Sequence, residues 1–209
     1  MENHKTFCPM PGINAGMLTL KDLEQVTELA RKYEVPMLKV TGGQRLFFKG
    51  LDPEKLGALK QELNIPATPP HARSRINYVQ ACPGKNWCNC GTGETELLTK
   101  TLMDMELDGP LPAKVKVAIS GCVRCCCESW RRDIGLTAEK KGWRVTFGGN
   151  AAGRPRIGDL LADGLTDDEA VALVRTTLNY YRNTAKPKAR TARFVERIGI
   201  EEIKRNVLG

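Results

Sequence analysis

Cysteine residues are concentrated in two short stretches of this 209-residue chain. Cys82 and Cys88 enclose five residues, and Cys122 and Cys126, further along the chain, enclose three. A pair of thiolates at such a spacing can bind one side of an inorganic centre, and a fold that brings the two stretches together completes a set of four ligands. The other cysteines of these stretches are Cys90, Cys125 and Cys127. The pattern therefore predicts a metal site built from two loops.

The spacing alone leaves open which centre is bound. Zinc ribbons place two residues between paired cysteines, which holds for Cys122 and Cys125 but not for Cys82 and Cys88. Iron–sulfur clusters accept wider spacings. Disulfides are the third alternative, and they require an oxidising compartment. The first ten residues, MENHKTFCPM, contain no apolar export signal, so free thiols and a cytoplasmic protein are expected.

Charge and hydropathy narrow the class of partner. The chain carries 32 Lys and Arg against 24 Asp and Glu, a net charge of +8, which favours acidic partners. Only 6% of the residues are aromatic, and no stretch interleaves them with basic residues as a base-stacking surface would. Nucleic acid is therefore not the expected partner. No apolar run approaches the ~20 residues that cross a bilayer, so a soluble protein without a membrane partner is expected.

The proline-rich stretch IPATPPHARSR, residues 65–75, predicts a linker between two folded parts. In the first part we expect a short strand over residues 16–19 and a helix capped by Thr19, with Asp22 completing a capping box. A hairpin follows around Gly42 and Gly43. Asp52 then caps a second helix. This order predicts a small α+β layer with helices on one face of a sheet.

In the second part, both cysteine pairs begin where a predicted strand ends. The run INYVQA stops at Cys82, and KVKVAIS is followed by Gly121 and Cys122. Loops at strand ends commonly carry chemistry on a rigid scaffold. A third strand, WRVTFGG, a helix capped by Thr166 and two short basic helices complete the predicted elements.

Several ordered segments resemble the siroheme-dependent sulfite and nitrite reductases. The two cysteine stretches, Cys82 to Cys88 and Ser120 to Cys126, have the Cx5C and Cx3C spacing of that family. Further segments similar to the family are Lys39-Val40-Thr41-Gly42-Gly43-Gln44, Leu111-Pro112-Ala113-Lys114-Val115-Lys116, Gly148-Gly149-Asn150 with Gly153-Arg154, and Arg190 to Gly199. These segments span both parts of the chain.

The resemblance implies a fold, cofactors and an activity. The implied fold class is α+β, with a small ferredoxin-like α/β half-domain over residues 1–68 and a siroheme and [4Fe-4S] α/β domain over residues 69–209. The implied enzyme is a small assimilatory-type sulfite reductase that reduces sulfite to sulfide with six electrons, or nitrite to ammonia. The alternatives are a non-catalytic siroheme and iron–sulfur electron-transfer subunit of a larger reductase, and a zinc- or cluster-dependent nucleic-acid binder, which charge alone supports.

The resemblance also assigns roles to individual residues. The cluster ligands would be Cys82, Cys88, Cys122 and Cys126, with Cys126 also bridging to the siroheme iron. Basic residues that bind the anion and supply protons would be Lys39, Arg75, Lys114 and Lys116. Siroheme would be held by Thr41, Gln44, Arg45, Arg73, Arg124, Gly149, Asn150 and Arg154. For Cys90, Cys125 and Cys127 we expect packing roles beside the cluster.

The chain departs from the full-length family in having one copy of each unit instead of two. Half of the usual pocket wall is missing, so a second subunit supplies it or the pocket is more open, and the protein is expected to be a monomer or a homodimer. No ferredoxin-type cysteine run and no flavin or nucleotide fingerprint is present, so electrons are expected from an external acidic donor such as ferredoxin. Candidate docking residues are Lys186, Lys188, Arg190 and Arg193.

Overall fold

The computed structural model describes residues 7–65 and 74–209, and each of these two ranges forms a compact unit. Residues 66–73, the central part of the linker predicted over residues 65–75, lie outside the described residues, and so does Arg73, one of the predicted siroheme-binding residues. Each unit mixes helices and strands, which confirms the predicted α+β class. Within the described ranges, no helix is both long and apolar enough to span a membrane.

The first unit is a three-stranded antiparallel sheet with two helices. The strands are β1 (Phe7–Pro9), β2 (Met37–Val40) and β3 (Leu46–Lys49), in the order β1-β3-β2. The helices are α1 (Leu20–Lys32) and α2 (Pro53–Glu62). Their buried side chains pack with one face of the sheet into a core that includes Cys8, Leu29, Phe48 and Leu59.

Local sequence signals account for most of this unit. Thr19 and Asp22 form the predicted capping box, and the Asp52 side chain accepts from the main-chain N–H of Lys55 at 2.8 Å. The predicted hairpin joins β2 and β3, but Gln44, at φ +55°, takes the left-handed position and not a glycine. The strand predicted over residues 16–19 is wrong. Gly16 has φ +72°, which turns the chain there, and the first strand is Phe7–Pro9.

The second unit is a five-stranded mixed sheet with helices packed against it. The strands are β4 (Tyr78–Ala81), β5 (Lys116–Ser120), β6 (Ile134–Glu139), β7 (Gly142–Phe147) and β8 (Asp159–Leu165). The helices are α3 (Glu96–Met103), α4 (Asp167–Thr184), α5 (Thr191–Ile198) and α6 (Ile200–Val207). The sheet order follows the chain, with β4, β5 and β6 parallel and β7 and β8 antiparallel to their neighbours.

This topology gives the sheet two chemically different edges. At what we call the carboxyl edge, β4, β5 and β6 end and β7 begins. At the amino edge, β4, β5 and β6 begin and β7 ends. Residues that precede a parallel strand and residues that follow it are therefore separated by the length of the strand.

Two strands of this sheet escaped prediction from the sequence. β6 contains Gly135, where a Cβ atom would lie 2.2 Å from the carbonyl oxygen of Ser129. Close packing therefore requires glycine at this position, although glycine has a low strand propensity. β8 carries Asp159, Asp163 and a left-handed Gly164, which interrupt the alternation that marks a half-buried strand. The helix capped by Thr166 and the two short C-terminal helices are confirmed.

Candidate metal and anion sites

The two cysteine stretches meet at the carboxyl edge of the five-stranded sheet. β4 ends one residue before Cys82, and β5 ends two residues before Cys122, on the neighbouring parallel strand. Between them lies a cavity of about 210 Å³. Its lining consists of Cys82, Pro83, Cys88, Cys90, Gly91, Ser120, Cys122, Arg124 and Cys126. All four predicted ligands therefore face one cavity, and Cys90 joins them.

Main-chain contacts hold the two cysteine loops together. The N–H of Gly121 donates to Sγ of Cys82 at 3.0 Å. The N–H of Gly93 donates to the carbonyl of Gly121 at 3.0 Å, and within the first loop the Thr95 hydroxyl donates to the carbonyl of Cys82 at 2.7 Å. A Cβ atom at Gly121 would lie 2.8 Å from Cα of Gly84. The loops approach so closely that glycine is required at their contact.

The arrangement fits a cluster better than a single ion. Among the residues that the structure describes, no group of three or more His, Cys, Asp or Glu side chains converges on a point that could hold one metal ion. Thiolates spread around a cavity suit a cluster, whose iron atoms each take one protein ligand.

Exposure distinguishes the cysteines from one another. Cys122 is buried, Cys82 and Cys88 are half-buried, and Cys126 is exposed. Cys126 is thus the predicted ligand best placed to reach a further group outside the cavity.

The two remaining cysteines of the second stretch do not line this cavity. Cys127 is buried, and burial raises the pKa of its thiol to about 12, so it behaves as a small apolar side chain. Cys125 accepts a weak hydrogen bond of 3.8 Å from the Ser120 hydroxyl. Both placements agree with the packing role expected for them.

Apolar and basic side chains beside the cysteines are open to solvent. Trp87, next to Cys88, is 78% exposed, and Val123, next to Cys122, is 70% exposed. Arg124 is exposed and lines the cavity. Large apolar side chains left uncovered around the mouth of a cavity are typical of a surface that another group covers. Sequence analysis missed Trp87 and Val123, whose only signal was their position between cysteines.

A second cavity, of about 210 Å³, lies at the amino edge of the same sheet. We call it the basic cavity. Its lining consists of Lys116, Arg131, Arg132, Asp133, Gly149, Asn150, Ala151, Ala152 and Arg190. Lys116 begins β5, Asp133 immediately precedes β6, and the loop after β7 supplies Gly149 and Asn150.

A buried carboxylate organises the basic cavity. Asp133 is 2% exposed and accepts from Nη2 of Arg190 at 2.9 and 2.8 Å. It also accepts from the main-chain N–H of Lys116 at 3.0 Å and from the hydroxyl of Thr191. The first residues of β5 and α5 are thereby fixed against the start of β6. Sequence analysis named Arg190 only as a docking candidate and missed Arg131, Arg132 and Asp133, which carry no recognisable spacing.

Burial and positive neighbours lower the pKa of Lys116. Desolvation is the largest cause, followed by the Arg190 guanidinium, while Asp133 opposes the shift. Its Nζ lies 6.0 Å from the ring centroid of Tyr78, the register partner of Lys116 on β4. Lys114 and Arg75, which precede β5 and β4 respectively, are exposed at the same edge. A lysine with a lowered pKa donates its proton more readily.

The structure thus divides the predicted site residues of the second unit between two edges. Cys82, Cys88, Cys122, Cys126 and Arg124 surround the cysteine cavity, whereas Arg75, Lys114, Lys116, Gly149 and Asn150 lie at the amino edge. At about 3.3 Å per residue, the Cα atoms of Lys116 and Ser120 at the two ends of β5 are about 13 Å apart.

Arg154 lies in the loop after β7 and faces solvent. Its side chain is 76% exposed, and its guanidinium lies 3.8 Å from the carboxylate of Glu196. The Asn150 amide donates to the Arg154 carbonyl at 2.8 Å, which shapes the predicted Gly-Gly-Asn loop. A Cβ atom at Gly149 would lie 2.4 Å from the carbonyl oxygen of Arg132. The loop therefore packs directly against the main chain that leads into β6.

The remaining predicted site residues belong to the first unit. Lys39 is exposed on β2, and Thr41 and Arg45 face each other across the hairpin, with the Thr41 hydroxyl donating to the Arg45 carbonyl at 3.1 Å. The Arg45 guanidinium lies 5.2 Å from the ring centroid of Phe47. Gln44 holds the left-handed position of the same turn.

Two family models together match almost the whole chain. Residues 72–209 match the nitrite and sulphite reductase 4Fe-4S domain, and residues 4–64 match the nitrite/sulfite reductase ferredoxin-like half domain. The chain is 41% identical to the assimilatory-type sulfite reductase of Nitratidesulfovibrio vulgaris over 98% of its own length and 93% of that protein. It is 33% identical to the NAD(P)H nitrite reductase of Bacillus subtilis over 95% of its own length but spans only 24% of that protein.

Solved structures show the same fold. Dissimilatory sulfite reductase I superposes with a TM-score of 0.77 at 13% identity, covering 96% of this chain and 68% of that one. The Mycobacterium tuberculosis NirA protein superposes with a TM-score of 0.71 at 21% identity, covering 93% of this chain and 38% of that one. At these identities, the likeness concerns the fold alone.

Proposed function

Because the chain belongs to the nitrite and sulfite reductase family, we propose that it reduces sulfite to sulfide at a siroheme linked through Cys126 to a [4Fe-4S] cluster. The cluster ligands are Cys82, Cys88, Cys122 and Cys126. When bound, the coupled siroheme and cluster supply stored electrons and an iron atom that binds the anion. The observation that carries this proposal is the convergence of all four cysteines on one cavity at the carboxyl edge.

The exposure of individual side chains supports the assignment of Cys126 as the bridging ligand. A ligand shared with a second group must face outward, and Cys126 is the exposed member of the four. Trp87 and Val123 offer apolar surface on which a flat macrocycle can lie, at 78% and 70% exposure. Arg124 places a guanidinium at the cavity, where it can pair with a carboxylate of the macrocycle rim.

The basic residues have the chemistry that oxyanion reduction requires. Conversion of sulfite to sulfide consumes six electrons and six protons and releases three waters, so the protein must hold an anion and deliver protons repeatedly. Arg132 and Arg190 present guanidinium groups suited to an oxyanion, and Lys116 has a lowered pKa. Arg75 and Lys114, exposed at the same edge, add positive charge there. From the first unit, the proposal includes Lys39 as an anion-binding residue and Thr41, Gln44 and Arg45 as siroheme-binding residues. These four roles rest on the resemblance alone.

Nitrite is the second candidate substrate. The observation in its favour is that nitrite reductases from several organisms align with nearly all of this chain, including that of Bacillus subtilis at 33% identity. Sulfite comes first because the sulfite reductase relative is more similar, at 41% identity, and matches over 93% of its own length.

Electrons come, in this proposal, from an external acidic protein such as ferredoxin. The net charge of +8 favours docking of a negatively charged donor. The structure narrows the candidate docking residues, because Arg190 is paired with Asp133 and Arg193 with Glu196. Lys186 and Lys188 remain exposed in the segment between α4 and α5.

Absorption and turnover of the purified holoprotein test this proposal directly. We expect the bands of a siroheme coupled to an iron–sulfur cluster, iron and sulfide in cluster stoichiometry, and sulfide release from sulfite with reduced methyl viologen. Parallel assays with nitrite rank the two substrates. Zinc in place of iron would contradict the cofactor assignment, and intact cofactor bands without turnover on either anion would instead favour an electron-transfer subunit.

A further inference from the structure

We propose that the hydroxyl of Ser120 donates a hydrogen bond to a sulfur of the cluster and thereby raises the reduction potential of the cluster. This inference rests on the proposed function and deepens it, because it adds a residue that contacts the cofactor and tunes its electrons. It follows from the donors and acceptors around two buried serines.

Ser120 ends β5 at the point where the strand enters the cysteine cavity. Its side chain is 1% exposed. Among the described residues, it is the only serine that lines this cavity, which it shares with Cys82 and Cys126. Gly121 follows directly and donates its main-chain N–H to Sγ of Cys82 at 3.0 Å. The end of β5 thus brings two successive polar groups to the sulfurs of the cavity.

The Ser120 hydroxyl forms a hydrogen-bonded pair with the hydroxyl of Ser129, which is also 1% exposed. The two Oγ atoms are 2.7 Å apart, and this distance allows either hydroxyl to be the donor. Oγ of Ser120 also accepts from the main-chain N–H of Cys127 at 3.3 Å. Sγ of Cys125 lies 3.8 Å from Oγ of Ser120 and is a weak acceptor for the Ser120 proton.

The direction of the bond between the serines follows from the need of each buried proton for an acceptor. Among the described residues, the bond to Ser120 is the only one that the Ser129 hydroxyl makes. If Ser120 were the donor, the Ser129 proton would be buried without an acceptor, which is costly. With Ser129 as donor, Oγ of Ser120 accepts from both Ser129 and Cys127, which uses its two lone pairs. The Ser120 proton is then left for a sulfur.

A cluster sulfur is a better acceptor for this proton than Cys125. The 3.8 Å distance to Sγ of Cys125 is long even for a bond to sulfur, and Cys125 does not line the cavity that Ser120 faces. The sulfurs of a cluster and of its ligand thiolates carry negative charge, and hydrogen bonds to ionised acceptors are roughly twice as strong as those between neutral groups. Rotation about the Cβ–Oγ bond of Ser120 redirects the proton without moving any heavy atom.

The serine pair also holds the loop that carries Cys126. Cys125 and Glu128 have φ angles of +55° and +56°, in the left-handed region that such side chains rarely adopt. The bond from the N–H of Cys127 to Ser120 fixes the chain between them. Donation to sulfur and support of the loop are therefore two separate roles. The reduction potential of the cluster reports the first role, and the free energy of unfolding reports the second.

Substitution of each serine in turn separates these roles. Ser120→Ala removes the donor to sulfur, and the cluster potential of the holoprotein should shift to more negative values. Ser129→Ala removes the other hydroxyl of the pair but keeps the Ser120 proton, so it should lower the urea midpoint and leave the potential near that of the wild type. Ser120→Thr keeps a hydroxyl and should also keep the potential. Redox titration followed by electron paramagnetic resonance measures these potentials, and equal shifts in Ser120→Ala and Ser129→Ala would overturn the proposal.

Thr177→Val is the matched control for the loss of a buried hydroxyl. Thr177 is 0% exposed in α4, and within the described residues its Oγ1 has no hydrogen-bond partner. Thr177 is not among the residues that line the cysteine cavity. Its substitution should leave the cluster potential unchanged, and a shift as large as that of Ser120→Ala would also overturn the proposal.

A labelling experiment on the wild type does not depend on the folding of any variant. Protein made with serine that carries oxygen-17 in its hydroxyl should show coupling of this nucleus to the reduced cluster in pulsed electron paramagnetic resonance. Since Ser120 is the only serine lining the cavity among the described residues, the coupling reports on that side chain. A loaded cluster without oxygen-17 coupling would overturn the proposal even if Ser120→Ala failed to fold.

The outcomes also separate this inference from the proposed function. A holoprotein with siroheme and a cluster, but with no oxygen-17 coupling and no shift of potential in Ser120→Ala, would refute the role of Ser120 and leave the reductase intact. A wild-type protein that binds no iron–sulfur cluster would refute the proposed function, and this inference with it.

Discussion

The main-chain N–H of Gly121 donates a hydrogen bond of 3.0 Å to Sγ of Cys82, joining the ends of two neighbouring parallel strands. This contact fixes a cysteine on one loop to the backbone of the other. Hydrogen bonds to cluster sulfurs raise the reduction potential of iron–sulfur centres. Gly121 therefore helps to assemble the cysteine cavity, and with Cys82 as a ligand, as proposed, its N–H would also raise the reduction potential of the cluster.

Replacing Gly121 should disturb this contact. In Gly121→Ala, the added Cβ would lie 2.8 Å from Cα of Gly84 and 3.0 Å from the Gly93 carbonyl, both main-chain atoms that cannot move independently. We expect a loss of about 1–3 kcal/mol in stability, together with reduced iron content. Urea unfolding and iron analysis measure the two effects. Gly153→Ala is the matched control, because its Cβ would meet no atom within 4 Å. Equal effects of the two substitutions would contradict the packing argument.

The cysteine assignment predicts a sharp division among the variants. Serine in place of Cys82, Cys88, Cys122 or Cys126 should remove iron and sulfide together, because a cluster that loses one of its four ligands no longer binds stably between the two loops. Cys90→Ser should keep iron near the wild-type content, although Cys90 lines the cavity. Iron and acid-labile sulfide per chain are the measurements. A Cys122→Ser protein with a full cluster would refute the ligand set, and a Cys90→Ser protein without one would make Cys90 a ligand.

How far the sequence predicts this protein depends on whether the signal is local. Thr19 with Asp22, and Thr166 with Glu169, satisfy main-chain groups within three residues, so both helix starts were predictable from the chain alone. The cysteine spacing was equally informative, since each pair belongs to one loop. β6 was not predictable, because Gly135 is set by the approach of Ser129 and not by strand propensity.

The division of the site between two edges could not be predicted from motif order. Lys116 and Cys122 are six positions apart and were expected in one pocket, but an extended strand carries them to opposite edges. The role of Asp133 could not be predicted from the sequence for a related reason. Its partners Lys116, Arg190 and Thr191 are distant in sequence and meet it only after the parallel sheet and α5 have formed.

Asp133 is expected to be the most sensitive charged residue for stability. In Asp133→Ala, the guanidinium of Arg190, the main-chain N–H of Lys116 and the hydroxyl of Thr191 lose their shared acceptor at a site that is 2% exposed. Breaking a buried pair in this way costs about 3–5 kcal/mol. Asp108→Ala removes a partner of Arg182 at 3.5 Å, but Asp108 is 70% exposed, so the loss should stay below about 1 kcal/mol. Urea unfolding compares them, and similar losses would contradict the organising role of Asp133.

Lys116 should set the alkaline limit of sulfite turnover. Burial and the positive charges of Arg190, Arg132 and Lys114 lower its pKa below the usual 10.5, against the opposing effect of Asp133. Since the protonated form is the donor, the rate should fall as the pH rises through this lowered pKa. Lys116→Arg should move the fall to higher pH, because a guanidinium stays protonated. Lys116→Met should lower the rate about 100-fold at neutral pH.

The pH dependence of turnover, measured with an artificial donor, checks this assignment. Lys141→Met changes an exposed lysine in the turn between β6 and β7, at the opposite edge of the sheet, and should leave the profile unchanged. Identical alkaline limits in the wild type and in Lys116→Arg would show that another group sets the limit.

Docking of an acidic donor predicts a rate that depends on salt. As ionic strength rises from about 10 mM to about 150 mM, the Debye length falls from ~30 Å to ~8 Å, so the rate with a ferredoxin-like donor should fall while small artificial donors lose much less. Lys186→Glu with Lys188→Glu should weaken that donor at low salt without changing the absorption bands, because both side chains are exposed. Lys140→Glu with Lys141→Glu makes the same change of charge in the turn between β6 and β7, where both lysines are also exposed. Equal effects of the two pairs would mean that net charge steers the donor, and a salt-independent rate would remove electrostatic docking altogether.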